Sequence, residues 1–236
     1  MTKAPLRNDN HPRMTKRVLL LKPGVTSSRA TLGDYEQWFA RAAAAEMHPV
    51  ELHAGERPPP AAGFDAVIMT GSPLSVTEPT DWMARAADFL LEAAEQRPVL
   101  GVCFGHQLLA WRLGAQVVKN PLGRELGTVW IEQTRAGRGS QLFAGMPERF
   151  DAQATHEDVV LRGSAPLEVL ASNPLCEVQA FAAGPRCFGV QFHPEMDAAS
   201  IGFCIEAERA PEVKAAAVAR ETRWGAHLLQ RFLELA

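Results

Sequence analysis

At 236 residues, 47% of them hydrophobic, the chain is long enough to bury a sizeable core, as one domain or one with a small appendage. Its 24 basic and 27 acidic side chains leave a formal net charge of -3, which gives no electrostatic case for nucleic acid or an anionic membrane surface; the expected partners are small molecules or proteins. No stretch approaches the ~20 apolar residues of a membrane-spanning helix.

The first sixteen residues carry Lys3, Arg7, Arg13 and Lys16 without an apolar core, so they are no secretory signal and read as a mobile tail (1–16) ahead of a single domain over 17–236. Arg17 to Lys22 is a continuous apolar run of the kind found in a parallel strand covered on both faces. Residues 34–46 predict an alanine-rich helix and 48–53 a second strand, after which Pro58-Pro59-Pro60 marks an exposed connection. Ala66 to Met69 reads as a third strand running into a Gly71-Ser72-Pro73 loop. From Asp81 to Gln96 the spacing predicts a helix capped by Thr80 or Asp81, with Trp82, Ala86, Phe89 and Leu90 turned inward.

Val99 to Val102 is a short apolar strand ending at Cys103, and Gly105 precedes a helical pattern with Leu108, Leu109 and Leu113 on one face. Strands alternating with helices predict an α/β fold: a mainly parallel central sheet flanked by helices, right-handed crossovers, and active residues at the carboxyl ends of strands. After residue 114 the pattern changes. Residues 115–119, 127–132, 149–153, 168–172, 177–182 and 187–191 read as shorter strands, predicting additional antiparallel pieces in the second half. Residues 197–236 form a helical C-terminal extension that Pro211 breaks into two segments.

The strand-turn-helix around Cys103 is the chemically informative stretch. A cysteine there is exposed at the end of a sheet, beside free backbone N–H groups and the positive end of a helix dipole, all of which favour a thiolate. Gly101 and Gly105 permit φ values and close approaches that a side chain would block. Alone, such a cysteine reads as a buried apolar residue. A second strand, Cys187 to Gln191, ends in Phe192-His193-Pro194-Glu195, where an extended backbone points His193 and Glu195 to one side. A cysteine nucleophile needs a base, and the base an orienting group; His193 and Glu195 fill those roles. The four cysteines, Cys103, Cys176, Cys187 and Cys204, contain no CxxC pair, which predicts a reducing, cytoplasmic setting. No His/Cys/Asp/Glu cluster has metal-ligand spacing and no Walker-type phosphate loop occurs, so neither a metal nor a cofactor is expected.

The segments Gly101-Val102-Cys103-Phe104-Gly105-His106-Gln107 and Gly189-Val190-Gln191-Phe192-His193-Pro194-Glu195 resemble the two signatures of class I, triad-type glutamine amidotransferases. Met69 to Val76 resembles the oxyanion loop of the glutaminase part of GMP synthase, and Gly123 to Gly127 extends the likeness, which covers roughly residues 17–196. The elbow and Asn120 to Gly127 also resemble free-standing amidotransferase-like γ-glutamyl peptidases.

The resemblance implies hydrolysis of a γ-carboxamide by Cys103, His193 and Glu195, with the backbone amides of Gly71 and Phe104 as oxyanion hole and Gln107 binding the amino-acid end of the substrate. Thr155-His156-Glu157-Asp158 takes the place of a Ser-His-Gly-Asp segment that lines the glutamine pocket, making His156 a pocket candidate and putting Glu157 where the family has glycine. His106 is expected to pack or cap. The implied substrate is glutamine or a γ-glutamyl conjugate. Because only about forty residues follow Glu195, an ATP-using synthetase domain is not expected in this chain, and a separate synthetase subunit is a possible partner. A catalytically silent regulatory or binding module is the alternative from another class, opposed by the intact Cys/His/Glu set.

Overall fold

The structure, a computed structural model, describes residues 15–236. The expected N-terminal tail therefore lies outside the described residues as far as 1–14. Lys16 is tied down: its carbonyl accepts the Glu46 N–H at 2.9 Å and its ammonium donates to the Ala236 carbonyl at 3.0 Å.

In chain order the elements are β1 (Arg17–Lys22), α1 (Arg29–Leu32), α2 (Tyr35–Ala43), β2 (Glu46–Glu51), β3 (Ala66–Met69), α3 (Asp81–Ala93), β4 (Val99–Val102), α4 (Phe104–Arg112), β5 (Val117–Lys119), β6 (Glu125–Gln133), α5 (Arg135–Gly139), β7 (Arg149–His156), β8 (Asp158–Val160), β9 (Glu168–Ser172), β10 (Ala180–Ala182), β11 (Cys187–Val190), α6 (Ala198–Ala207), α7 (Pro211–Ala216) and α8 (Trp224–Leu233). A nine-stranded sheet runs β2-β1-β3-β4-β11-β10-β9-β6-β7, and β5 pairs with β8 in a separate two-stranded sheet. Strands β2, β1, β3, β4 and β11 are parallel, and β10, β9, β6 and β7 extend the sheet by antiparallel pairing, as the change of pattern after residue 114 predicts. β11 is the hinge of this design: it returns from the antiparallel half to lie beside β4, with Val190 opposite Val102, so the ends of the two signature strands become neighbours.

The parallel strands form because helices cover both faces, which suits continuous apolar runs. Leu19 and Leu21 pack with Leu90, Phe104 and Leu108 on one face, while Val18 and Leu20 pack with Trp38, Phe39, Leu228 and Phe232 on the other. Lys22 ends β1 with its ammonium fully buried among Asp34 at 2.8 Å, Glu36 at 2.7 Å and Glu51 at 2.8 Å. Burial disfavours that charge, but hydrogen bonds to the three carboxylates outweigh it and hold the lysine above its ordinary pKa.

Several boundaries differ from expectation. The helix predicted over 34–46 stops at Ala43, where Ala44 turns left-handed (φ 53°), and the chain joins the sheet at Glu46. Asp34 and Gln37 form a capping box at its start. α3 starts after Thr80 and ends at Ala93 rather than Gln96; Ala86 and Leu90 are buried as expected, together with Met83, Ala87 and Ala93, while Trp82 and Phe89 are half-buried and pack against the edge of the same core. The expected break at Pro211 is present, α6 ending at Ala207 and Pro211 opening α7 at the first turn where its missing N–H costs nothing, but a second interruption over 217–223 divides the extension into three helices rather than two.

Candidate active site

The β4–α4 junction turns at Cys103, which adopts φ 51° and ψ −100°. A non-glycine residue at positive φ costs about 1–3 kcal/mol and persists where the surroundings enforce it. The enforcing contacts come from the two glycines, though not through φ, since neither is in the positive region. A Cβ on Gly101 would stand 2.7 Å from the His106 nitrogen, and one on Gly105 2.6 Å from the Met69 carbonyl oxygen. Strand, turn and helix thus close on each other and leave the strain on Cys103, whose N–H donates to Val190 O at 2.9 Å and whose carbonyl accepts from Gln107 N at 3.0 Å. The residue is 7% exposed, so its thiol is approached from one side.

β11 ends at Val190, and the chain continues past Gln191 to His193, whose N–H donates to Gln153 O at 2.7 Å. His193 Nδ1 lies 2.7 Å from Glu195 Oε1, both side chains buried. Nε2 is left without a protein hydrogen bond, with the Cys103 thiol beside the ring. Burial works against the imidazolium, but the Glu195 carboxylate and the Cys103 sulfur together raise His193 well above the ordinary histidine value. Gly71 closes the third side: a Cβ there would stand 3.5 Å from Cys103 Cβ and 3.6 Å from His193 Nε2. Among the described residues neither the Gly71 nor the Phe104 N–H has a protein acceptor. Five of the residues singled out in the sequence, Cys103, His193, Glu195, Gly71 and Phe104, therefore converge.

The other two stand deeper. Gln107 Nε2 donates to Asp158 O at 2.9 Å and to Gln191 Oε1 at 3.1 Å, linking α4 to β8. His156 has Nδ1 3.1 Å from Asp158 O and Nε2 2.8 Å from Glu125 Oε2. Glu125 also accepts from Gln179 Nε2 at 2.6 Å and from Asn173. Burial raises the Glu125 pKa, but the His156, Asn173 and Gln179 contacts reverse this and hold it below the ordinary carboxylate value. Sequence reasoning missed this carboxylate, although it lies inside the Gly123 to Gly127 segment. Arg124, next to it, donates to Thr155 Oγ1 at 3.0 Å and pairs with Glu208 at 3.1 Å, while the Thr155 carbonyl lies 3.9 Å from Cys103 Sγ.

Glu157, in the family's glycine place, needs no glycine: its φ is not positive, and its half-exposed side chain turns outward to Lys119 and Arg124 at 3.4 and 3.6 Å. His106 packs, fully buried, against Phe181 with ring centroids 4.9 Å apart, and burial drives its pKa down to about 3. All four cysteines are free thiols. Among the described residues no group of three or more His, Cys, Asp or Glu is arranged to hold a metal ion, and no helix is long and apolar enough to cross a membrane.

A family model described as glutamine amidotransferase class-I matches residues 34–202. The chain is 41% identical over 145 residues to the glutamine-hydrolyzing GMP synthase of Aeropyrum pernix, covering 60% of this chain and 26% of that protein. It is 36% identical over 138 residues to one subunit of the glutamine-hydrolyzing GMP synthase of Saccharolobus solfataricus, covering 56% of this chain and 68% of that polypeptide. The match thus spans about a quarter of the longer relatives, 26% and 25% of the Aeropyrum and Azoarcus enzymes. The fold is shared with a glutamine amidotransferase from Thermotoga maritima, with a TM-score of 0.74, 23% identity, and coverage of 93% of this chain and 96% of the other.

Proposed function

The chain belongs to the class I glutamine amidotransferase family, and from that premise we propose that it hydrolyses the γ-carboxamide of glutamine through a glutamyl thioester on Cys103. Cys103 Sγ attacks the amide carbon with its proton already carried by His193 Nε2, as the raised histidine favours; the oxyanion of the tetrahedral intermediate meets the N–H groups of Gly71 and Phe104 at the start of α4. Collapse expels ammonia, protonated by His193, and leaves the thioester. Water, deprotonated by the same imidazole, adds to the thioester carbon; collapse releases glutamate and returns the thiol. Glu195 keeps Nδ1 occupied, so that Nε2 is the nitrogen that exchanges protons, and balances the imidazolium charge.

The observation that carries this reading is His193 Nε2, buried and without a protein partner beside Cys103 while Nδ1 is committed to Glu195. Gln107 and His156 then shape the pocket wall through Asp158, to which both are bonded. The Saccharolobus relative, itself one subunit of a GMP synthase, supports a separate synthetase polypeptide as the receiver of ammonia. Residues 17–236 are read as a single catalytic domain, because α8, the last helix, shares a core with β1 and α2. Four free thiols suit the reducing cytoplasm.

The test is steady-state turnover by the purified chain without ATP, magnesium or nucleotide, on free glutamine and on γ-glutamyl amides and peptides. Turnover of glutamine, raised by an added synthetase, supports the amidotransferase role within a two-polypeptide enzyme. Preference for γ-glutamyl peptides assigns the same chemistry to a free-standing peptidase. An absolute need for ATP in the hydrolytic step overturns the mechanism.

A further inference from the structure

Residues 217–225 lie along β6 and β7 and finish against the turn that carries His193 and Glu195. Thr128 N–H donates to Val218 O at 2.7 Å, Arg220 N–H to Thr128 Oγ1 at 2.8 Å, Gln153 Nε2 to Arg220 O at 2.8 Å, and Thr222 Oγ1 to Asp151 O at 2.8 Å. Two glycines admit this strap. Gly127 of β6, at φ +109°, has the Val218 N and O where its Cβ would stand, each 2.9 Å away. Gly225, the second residue of α8, abuts Pro194: a Cβ would come within 2.9 Å of Pro194 Cα and 3.0 Å of its carbonyl carbon.

Pro194 separates His193 from Glu195, and this stretch belongs to no strand or helix. Its outward main-chain bonds to the sheet are Gln191 N–H to Gln179 O at 2.8 Å and His193 N–H to Gln153 O at 2.7 Å. Gln153 therefore serves twice, holding His193 through its carbonyl and the strap through its amide. A base must be held within ~0.5 Å of its working position, which two such bonds at the end of a strand do not ensure by themselves. The strap lies C-terminal to the 34–202 stretch that the family model matches, so this support comes from the remainder of the chain.

We propose that residues 217–225 are a positioning element for His193, keeping Nδ1 on Glu195 and Nε2 toward Cys103, with Thr128, Gln153 and Gly225 as its positioning residues. The proposal rests on the proposed role of His193 as base.

Thr128→Val, Thr128→Ser and Gly225→Ala test it in the full chain, with thermal melting to establish that each variant is folded. Thr128→Val and Gly225→Ala are expected to lower kcat by about tenfold to a hundredfold with KM little changed, since small displacements of a reacting group cost that much. Thr128→Ser, which keeps the hydroxyl, is expected to stay near wild type. The second readout needs no substrate: the His193 ring, faced by Glu195 and Cys103, is titrated by NMR, and its midpoint is expected to fall toward the ordinary histidine range in the two impaired variants. An unmoved midpoint, with or without a loss of kcat, overturns the proposal, as does a Thr128→Ser protein impaired as much as Thr128→Val. A chain that shows no γ-glutamyl hydrolysis would instead count against the proposed function, leaving the titration to decide the strap.

Discussion

Gly71 faces the His193 ring so closely that a Cβ on it would lie 2.7 Å from Cε1. Backbone on the loop after β3 and a side chain beyond β11 are thus packed to contact across the mouth of the elbow. Gly71→Ala must push the imidazole or the loop aside, and either movement spoils the alignment of Nε2, the thiol and the Gly71 N–H. Turnover is expected to fall on the order of a hundredfold while the melting temperature stays close to wild type. A folded Gly71→Ala protein with normal kcat would show that residue 71 plays no part in the site.

Cys103→Ser is expected to reduce hydrolysis by several orders of magnitude without unfolding the chain, because members of such a set act as a unit. A glutamine-like electrophile should label Cys103 ahead of the other three thiols. Burial pushes the Cys176 thiol far up, the Cys187 thiol to about 12 and the Cys204 thiol upward, so each is poorly ionised at neutral pH. Mass-spectrometric mapping of the label checks this, and preferential modification of Cys204 would refute it.

The His193–Glu195 pair makes stability depend on pH in a definite sense. His193 is raised in the folded chain, so its contribution is fully present below the unfolded histidine value near 6.5 and is lost as pH rises through the folded value. Glu195→Gln removes the partner that raises it. The melting-temperature gap between wild type and Glu195→Gln is therefore expected to be widest near pH 6 and to narrow in alkaline buffer. In turnover, His193→Ala is expected to be at least as damaging as Glu195→Gln, since it removes the proton carrier itself. A wholly silent Glu195→Gln would make Glu195 a bystander.

The Glu125–His156 contact has the opposite pH signature. Glu125 is held below its ordinary value, so its contribution is present above the unfolded carboxylate value and is lost as pH falls through the folded one. His156→Ala leaves a buried carboxylate with fewer partners and is expected to cost about 3 kcal/mol, read by urea unfolding at pH 7. Glu125→Gln should flatten the acid limb of the stability curve. If His156→Ala instead unfolds like wild type but binds substrate poorly, His156 belongs to the pocket rather than to the wall behind it.

The sequence by itself determined three of the parallel strands and pointed to the residues of the proposed site, while β2 stands two residues earlier than its expected 48–53. Arg17–Lys22, Ala66–Met69 and Val99–Val102 stand where their apolar runs put them, because a strand buried on both faces tolerates little else. Cys103, His193 and Glu195, the proposed catalytic set, could be picked out because residue types suited to thiol chemistry follow closely on the ends of two strands that the structure then sets side by side. What the sequence left open was decided by contacts between distant segments. β8 has three residues and acquires its strand character only by pairing with β5, and how deeply Trp82 and Phe89 of α3 sink into the core was set by the elements they meet. The strain at Cys103 is imposed by Gly101 and Gly105 packing on α4 and β3; of the two uses the sequence allowed these glycines, positive φ and close approach, only the packed structure selects the second. The partners of Lys22, the closing of Glu125 on His156 and the seating of Gly225 on Pro194 each join residues far apart along the chain. Such pairings exist only once the sheet has fixed which segments meet, and that is information local periodicity does not carry.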